Sequence, residues 1–316
     1  MKFALHMAER ALTLFCMTLV LACAGSVAAQ SKAFDFDGDG KADIGIYRTQ
    51  NGTGWAIRRS TNGGVTYMGW GNATDKIAPA DYDGDGKTDF AIWRSTSSPA
   101  NFWIINSLTN TVRVESFGLS TDTLTVGDWD GDGKADLSVY RPGSQGIFYY
   151  RSSFNGALAG YVWGTTGDRP MLGDFDGDGR ADPAIFRPST SVWWIYQTSN
   201  AQTRVELWGL STDMFAPADY DGDGKTDLAT VRPFANTLAW NVKQSSNGQS
   251  VGTFWGAQDD ILVPADYDGD GKVDKAVFRP STRYWGILQT TNNQQFAFPF
   301  GSTTDTPVPS AYIPNE

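Results

Sequence analysis

The sequence predicts an all-β fold, a β-propeller of four-stranded blades, from three observations. One acidic nine-residue loop recurs six times at intervals of 45 to 47 residues, and self-similarity at such a period is typical of solenoids, propellers and arrays. Short apolar runs separated by turns follow each loop, enough for four strands per repeat. No helical periodicity of useful length occurs between Gln30 and Glu316. Six blades are predicted, with seven as the alternative.

The acidic loop has aspartate at positions 1, 3, 5 and 9 and glycine at positions 4 and 6. Carboxylates at this spacing let a short backbone wrap oxygen ligands around one hard cation, and Ca²⁺ suits such flexible all-oxygen sites. We therefore predict about six calcium ions, one per repeat. The predicted carboxylate ligands, loop by loop, are Asp35, Asp37, Asp39 and Asp43; Asp81, Asp83, Asp85 and Asp89; Asp128, Asp130, Asp132 and Asp136; Asp174, Asp176, Asp178 and Asp182; Asp219, Asp221, Asp223 and Asp227; and Asp266, Asp268, Asp270 and Asp274.

Two other calcium-loop folds are excluded. An EF-hand needs a bidentate acid at loop position 12 and flanking helices, whereas strands flank these loops and position 12 carries no acid. The residues there are Ile46, Ile92, Val139, Ile185, Thr230 and Val277. A nonapeptide β-roll would repeat its motif about every nine residues, but some 37 residues of strand and turn separate these loops.

Three further residue types recur in phase with the loops. An aromatic–glycine pair begins 11 residues before each later loop, at Trp70, Phe117, Trp163, Trp208 and Trp255, and again at Phe300. An aspartate occurs at the matching points Asp75, Asp122, Asp168, Asp213, Asp260 and Asp305. An arginine follows 13 residues after each loop start, at Arg48, Arg94, Arg141, Arg187, Arg232 and Arg279. We interpret these arginines as structural partners of the aspartate that precedes the next loop, since internal charges are normally paired; the alternative is a set of ligand contacts.

The phase of these residues divides the chain into repeats. They span about 30–74, 75–121, 122–167, 168–212, 213–259 and 260–304, and a vestigial seventh start covers 305–316. Residues Pro307 to Tyr312 are predicted to help close the ring.

The loop, the repeat length and the aromatic–glycine phase resemble the FG-GAP and VCBS repeat family, whose best-known members are the integrin alpha-subunit propellers. The resemblance covers Gln30 to about Tyr312. It implies a loop that joins the first and second strands of each blade. It also implies one main-chain carbonyl ligand from position 7, which is Lys41, Lys87, Lys134, Arg180, Lys225 and Lys272. The integrin propeller has seven blades, which keeps that alternative open.

Residues 1–29 are predicted to be a secretory signal, with Lys2 and Arg10 flanking its start, an apolar stretch from Ala11 to Ala24 and small residues before Gln30. A secreted, extracellular or cell-surface location follows, with the periplasm as an alternative. Retention as a membrane anchor and lipid attachment at Cys23 are the other possibilities for this segment. No membrane span is predicted for the mature chain.

The formal net charge of -10 comes mainly from the loops, whose aspartates are 24 of the 35 acidic residues. Loss of the signal leaves -11, and six calcium ions would bring the total to about +1. Without a cation the crowded carboxylates repel one another, so we expect folding to be coupled to calcium. No basic patch offsets the acids, which argues against a nucleic-acid partner.

The mature chain lacks cysteine and histidine, because Cys16, Cys23 and His6 all lie in the signal. This excludes a Ser-His-Asp triad and His-ligated zinc. The acids Glu115 and Glu206 share a phase but lie two blades apart, too far for a glycosidase pair. We predict a monomeric, non-catalytic binding or adhesion module with a protein or glycan ligand. The alternatives are a lectin, or a polysaccharide lyase or hydrolase. Ligand contacts are expected among residues that break the repeat: Arg58, Arg59, Tyr67, Tyr149, Tyr150, Arg151, Arg169 and Arg283.

Overall fold

The computed structural model describes residues 33–50 and 52–310, and within them every strand belongs to one of six four-stranded antiparallel sheets. Each sheet is one blade of a closed ring, so the predicted six-bladed, all-β propeller is confirmed. The predicted signal segment, Cys23 and Tyr312 lie outside the described residues.

Blades 2 to 6 are simple meanders in which four consecutive strands are hydrogen-bonded in chain order. Blade 2 contains β4 (Lys76–Ile77), β5 (Phe90–Arg94), β6 (Asn101–Ile105) and β7 (Val112–Ser116). Blade 3 contains β8 (Thr123–Leu124), β9 (Leu137–Arg141), β10 (Ile147–Arg151) and β11 (Leu158–Val162). Blade 4 contains β12 (Arg169–Met171), β13 (Ala184–Arg187), β14 (Val192–Gln197) and β15 (Gln202–Leu207). Blade 5 contains β16 (Met214–Phe215), β17 (Leu228–Phe234), β18 (Thr237–Lys243) and β19 (Ser250–Phe254). Blade 6 contains β20 (Ile261–Leu262), β21 (Lys275–Arg279), β22 (Tyr284–Leu288) and β23 (Gln295–Pro299).

Blade 1 is assembled from both ends of the described chain. Its second to fourth strands are β1 (Ile44–Arg48), β2 (Gly54–Arg58) and β3 (Val65–Met68), and its first is β24 (Thr306–Pro307). Strand β24 pairs with β1 in register, Pro307 opposite Ile46, and the 3-10 turn Val308–Ser310 follows it. The described part of the segment that begins at Asp305 therefore completes blade 1.

Burial changes from the inner to the outer strands of each blade. In β5, Ala91, Ile92 and Trp93 are all buried, so both faces of the strand are covered by neighbouring blades. In the outer strand β7, Val112 and Val114 are exposed. A strand packed on both faces has a run of apolar residues that does not alternate with polar ones. This explains the sequence of each second strand.

The core lies between blades and is rich in aromatic side chains. The third strand of each blade buries one large ring, at Trp55, Phe102, Phe148, Trp193, Trp240 and Trp285. In blades 4, 5 and 6 the indole N–H of this tryptophan donates to the carbonyl of the aromatic–glycine pair, as from Trp193 to Trp208 at 3.0 Å. In these three blades the bond thus ties the end of the fourth strand to the third strand. Within the described part of the chain, no helix is long and apolar enough to cross a membrane.

Candidate functional site

Loops 2 to 6 each join the first and second strands of a blade, loop 1 leads into the second strand of blade 1, and all six meet around one end of the ring axis. Loop 2, for example, connects β4 with β5. A cavity of about 360 Å³ lies there, lined by residues of the loops and of the segments just before them, among them Ala80, Gly127, Gly173, Ala218 and Ala265. The residues directly before loops 2 to 6 are small, and Phe34 takes the same place before loop 1.

The position 1 carboxylate organises the backbone of its own loop. In loop 1, Asp35 accepts hydrogen bonds from the N–H groups of Gly38 at 2.6 Å and Gly40 at 2.7 Å. The other five loops repeat both bonds within 0.2 Å. Both glycines have φ between 77° and 88° in every loop, a conformation that favours glycine.

The position 9 carboxylate ties the loop to the outer half of its blade. Asp43 accepts from the N–H of Phe36 at 2.9 Å through one oxygen and from the N–H of Ser60 at 2.7 Å through the other. All six position 9 aspartates are fully buried and make the same two bonds. The turn between the third and fourth strands is therefore fixed against the loop.

That turn adds a hydroxyl residue that the sequence analysis missed. Ser60 Oγ donates to Asp39 at 2.8 Å, and Thr61 Oγ1 donates to Asp37. Equivalent hydroxyl groups contact the position 5 aspartate in the other loops, at Ser107, Ser153, Thr198, Ser245 and Thr291. The signal was a Ser or Thr 24 to 26 residues after each loop start.

The structure brings the predicted carboxylates together. In loops 1 and 2, one carboxylate oxygen from each of positions 1, 3 and 5 lies within 4.8 Å of the others, and in loops 3, 4 and 5 the same holds for positions 1, 3 and 9. Asp37 Oδ1 is buried and has no hydrogen-bond partner. Clustered oxygen donors, one of them unpaired, fit a hard divalent cation. These aspartate groups could therefore hold a metal ion.

The electrostatics of the loops are those of carboxylates removed from water. Burial raises the pKa of Asp43 and Asp89 to about 6, and the pKa of Asp182 and Asp274 to about 7, with neighbouring loop aspartates adding to the effect. Burial likewise raises the pKa of the position 1 aspartates, to about 6 at Asp128. A bound cation would offset this charge and favour the ionised form.

Neighbouring loops are joined by main-chain hydrogen bonds that form a closed ring. The N–H of position 8 in each loop donates to the carbonyl of position 1 in the preceding loop, as from Thr88 to Asp35 at 2.6 Å. The other donors are Ala135, Ala181, Thr226 and Val273, and Ala42 closes the ring onto Asp266 at 2.7 Å. Each candidate site is thus attached to the first residue of the site before it.

The position 7 side chain crosses onto the same neighbouring loop. A Cβ placed on Gly84 would lie 2.8 Å from Lys134 Cε, and the position 4 glycine of every other loop faces the next Lys or Arg in the same way. Position 4 therefore needs glycine for its backbone conformation, and a Cβ there would also push the position 7 side chain of the next loop aside. The position 7 carbonyls stay a prediction as metal ligands.

All six phased arginines form ion pairs with phased aspartates, but the predicted direction was wrong. Arg94 pairs with Asp75, which precedes its own loop, through two bonds of 2.8 Å. Blades 3 to 6 repeat the pairing 19 residues apart, and in blade 1 Arg48 pairs with Asp305. The pair joins the start of the first strand to the end of the second strand within one sheet.

Two acids that share a phase form ion pairs between blades. Glu115 binds Arg151 at 3.1 Å across blades 2 and 3, and Glu206 binds Lys243 at 2.5 Å across blades 4 and 5. Across blades 6 and 1 the same place is filled by Arg58, whose guanidinium lies 5.0 Å from the ring centroid of Phe298. These acids are interblade contacts.

The residues that break the repeat do not converge on one site. Arg58 and Arg151 have the structural partners just described, and Tyr150 stacks on Trp129 at 5.7 Å. Tyr149 and Tyr150 both line an open groove of about 450 Å³ between blades 2 and 3, together with Phe117, Arg141 and Leu158.

Fold and site together define the class: a six-bladed propeller whose blades each carry a carboxylate loop able to hold a metal ion. Residues 81–139 and 174–230 match the FG-GAP-like repeat. The predicted resemblance to FG-GAP repeats is thereby confirmed at these two places in the chain. No curated protein matches the chain.

Several solved structures are similar in fold. A catalytically inactive virginiamycin B lyase from Staphylococcus aureus is 12% identical, with a TM-score of 0.46 over 81% of this chain and 85% of the lyase. A proposed 6-phosphogluconolactonase from Bacteroides fragilis is 10% identical, with a TM-score of 0.48 over 86% and 98%. An auxiliary nutrient binding protein from Bacteroides ovatus is 12% identical, with a TM-score of 0.43 over 78% and 71%. Likenesses this distant carry no information on function.

Proposed function

We propose that the protein is a calcium-loaded β-propeller that serves as a non-catalytic binding or adhesion module outside the cell. Calcium is the ion best matched to the loops, because each offers several carboxylate oxygens on a flexible glycine-containing backbone. For an extracellular module we expect weak sites, with dissociation constants of about 10⁻⁴ to 10⁻³ M.

The observation that carries this proposal is the equivalence of the six loops. The same carboxylate bonds recur in each loop, and the phased arginines and the acids Glu115 and Glu206 are all paired. A catalytic centre needs an acid, base or nucleophile that one or two blades carry and the others lack. The repeated chemistry supports a scaffold whose bound ions hold the loop end rigid.

Titration of the chain Gln30 to Glu316 with calcium, after chelation, tests the metal. Calorimetry should find about six ions, and calcium should raise the thermal unfolding midpoint while magnesium does so less, because Mg²⁺ dehydrates reluctantly. The variant Asp176→Asn, altered at one half-buried loop position, should bind one ion fewer. Unchanged unfolding in calcium and in chelator would contradict the proposal.

A glycan is the second candidate ligand, favoured by the groove between blades 2 and 3. Aromatic faces pack against sugar rings. The guanidinium of Arg141 lies over the ring of Tyr149, 4.7 Å from the ring centroid. A panel of glycans and polysaccharides, probed in millimolar calcium and again in chelator, tests this. Binding that Tyr149→Ala abolishes would make the protein a lectin, and cleavage of the bound sugar would make it an enzyme. A blank panel with folded protein would favour a protein ligand.

A further inference from the structure

The residue that directly follows the loop differs in character in one blade. The residue after position 9 is apolar in five blades, as Ile44, Phe90, Leu137, Pro183 and Leu228. In blade 6 it is Lys275, which is only 6% exposed. A buried lysine where the other blades have apolar side chains costs desolvation energy, so its charge needs a partner.

Lys275 lies between two candidate metal sites. Its ammonium is 5.4 Å from the ring centroid of Tyr220, which is position 2 of loop 5. Burial lowers the pKa of Lys275, while the carboxylates of Asp274, in its own loop, and of Asp227, in loop 5, act in the opposite direction and favour its charged form. These are the buried position 9 aspartates of the two loops.

We propose that Lys275 is a built-in counter-ion for loops 5 and 6, so that these two sites bind divalent cations more weakly than the other four. The inference rests on the proposed calcium binding. A fixed positive charge inside the protein repels an incoming cation and already neutralises part of the carboxylate charge that would attract it.

The position 7 cations do not account for such a difference. Every loop receives one Lys or Arg from the next blade, so their effect is common to all six sites. Lys275 adds a second positive charge beside loops 5 and 6. Burial makes this charge more effective than a surface lysine, because solvent screens it less.

Calorimetric and terbium-luminescence titrations of the full chain test the inference. The wild type should show four tighter and two weaker sites, at least about tenfold apart, because one unit charge acts on a divalent ion through partly wet protein. Lys275→Leu, which installs the residue of blades 3 and 5, should bring the weak sites up to the tight class without changing the number of ions. Lys275→Arg should keep both classes.

Lys76→Leu is the matched control. Its ammonium also lies over an aromatic ring, 5.3 Å from the centroid of Trp93, but it is exposed and five residues before loop 2. Lys76→Leu also removes one positive charge, and it should leave both the tighter and the weaker class of site in place. A folded Lys275→Leu protein whose weak sites are unchanged, or change only as much as in Lys76→Leu, would overturn the inference.

Two site variants decide the question independently of any change at Lys275. Asp83→Asn in loop 2 should remove one tightly bound ion, whereas Asp221→Asn, at the same position in loop 5, should remove one weakly bound ion. Loss of a tight ion from Asp221→Asn would refute the inference while leaving calcium binding intact. Absence of any bound ion in the wild type would instead refute the proposed function.

Discussion

Arg48 and Asp305 lie 257 positions apart in the chain and form a two-bond ion pair, Nε to Oδ1 at 2.9 Å and Nη2 to Oδ2 at 2.8 Å. The other five blades pair the same two positions, 19 residues apart, through two bonds in blades 2, 3, 4 and 6. In blade 5 one bond forms, from Arg232 Nη2 to Asp213 Oδ2 at 2.6 Å. In blade 1 the same contact instead joins two residues near opposite ends of the described chain.

Removing the buried carboxylate of this pair should destabilise the protein. Asp305→Ala deletes the acceptor for Arg48 and for the N–H of Ser302, and we expect the free energy of unfolding to fall by about 1.5–3 kcal/mol, as for hydrogen bonds to charged groups. Asp75→Ala removes the same contacts from blade 2 and is the matched control. Urea denaturation should give similar losses for both; a negligible loss for Asp305→Ala alone would mean that the closing pair contributes nothing.

Deleting the closing strand should cost much more than removing one carboxylate. A chain ending at Thr304 loses β24 and the fully buried Val308, whose burial alone is worth about 1.5–3 kcal/mol. It also leaves the inner edge of blade 1 unpaired. We expect loss of cooperative unfolding by calorimetry, with a chain ending at Ser310 retaining it.

The two loop glycines allow the contact between neighbouring loops to be measured. Gly84 and Gly86 have φ of 83° and 84°, so alanine at either should cost about 1–2 kcal/mol. Only at Gly84 would the new Cβ meet Lys134, since nothing lies within 4 Å at Gly86. Gly84→Ala should therefore be the more destabilising change in urea denaturation. The extra loss of stability in Gly84→Ala over Gly86→Ala should vanish when Lys134 is replaced by alanine. If the extra loss persists in the Lys134→Ala protein, its cause lies within loop 2.

The buried loop carboxylates make the stability of metal-free protein depend on pH. The folded-state pKa is about 6 at Asp43 and about 7 at Asp182, above the ordinary 3.8. The folded state therefore binds more protons than the unfolded chain between these values, and its stability falls as pH rises from about 4 to about 7. In chelator, the unfolding midpoint should decrease across this window.

Calcium should reverse that trend because it replaces the bound protons. The increase in midpoint on adding calcium should be larger at neutral pH than at mildly acidic pH. Asp305 has the opposite effect on the pH dependence of stability, because its ion pair with Arg48 holds its pKa low. The stability that Asp305 contributes is lost only as pH falls below the mildly acidic range. A calcium effect independent of pH would contradict burial of the position 9 carboxylates.

Most of the architecture could be predicted from the sequence because the repeats reveal it. The loop aspartates, the apolar second strands and the phase of Asp305 each recur, and repetition separates signal from chance. The hydroxyl groups at Ser60 and its equivalents were missed because turn lengths vary and shift their spacing by up to two residues. The ring of bonds from position 8 uses main-chain N–H groups, which any residue but proline supplies, so no side-chain pattern records it. Lys275 was not distinguished because its setting depends on the neighbouring blade.

The completion of blade 1 by β24 has a consequence for the order of events during biosynthesis. Translation produces β1 early, yet the strand that pairs with its inner edge emerges only after residues 306 and 307 have been made. Until then a nascent chain can form five whole blades, but it keeps an open edge able to recruit a strand from another molecule. The closing strand is therefore made after the strands of the other five blades, and misassembly between chains competes with folding in the interval before it is available.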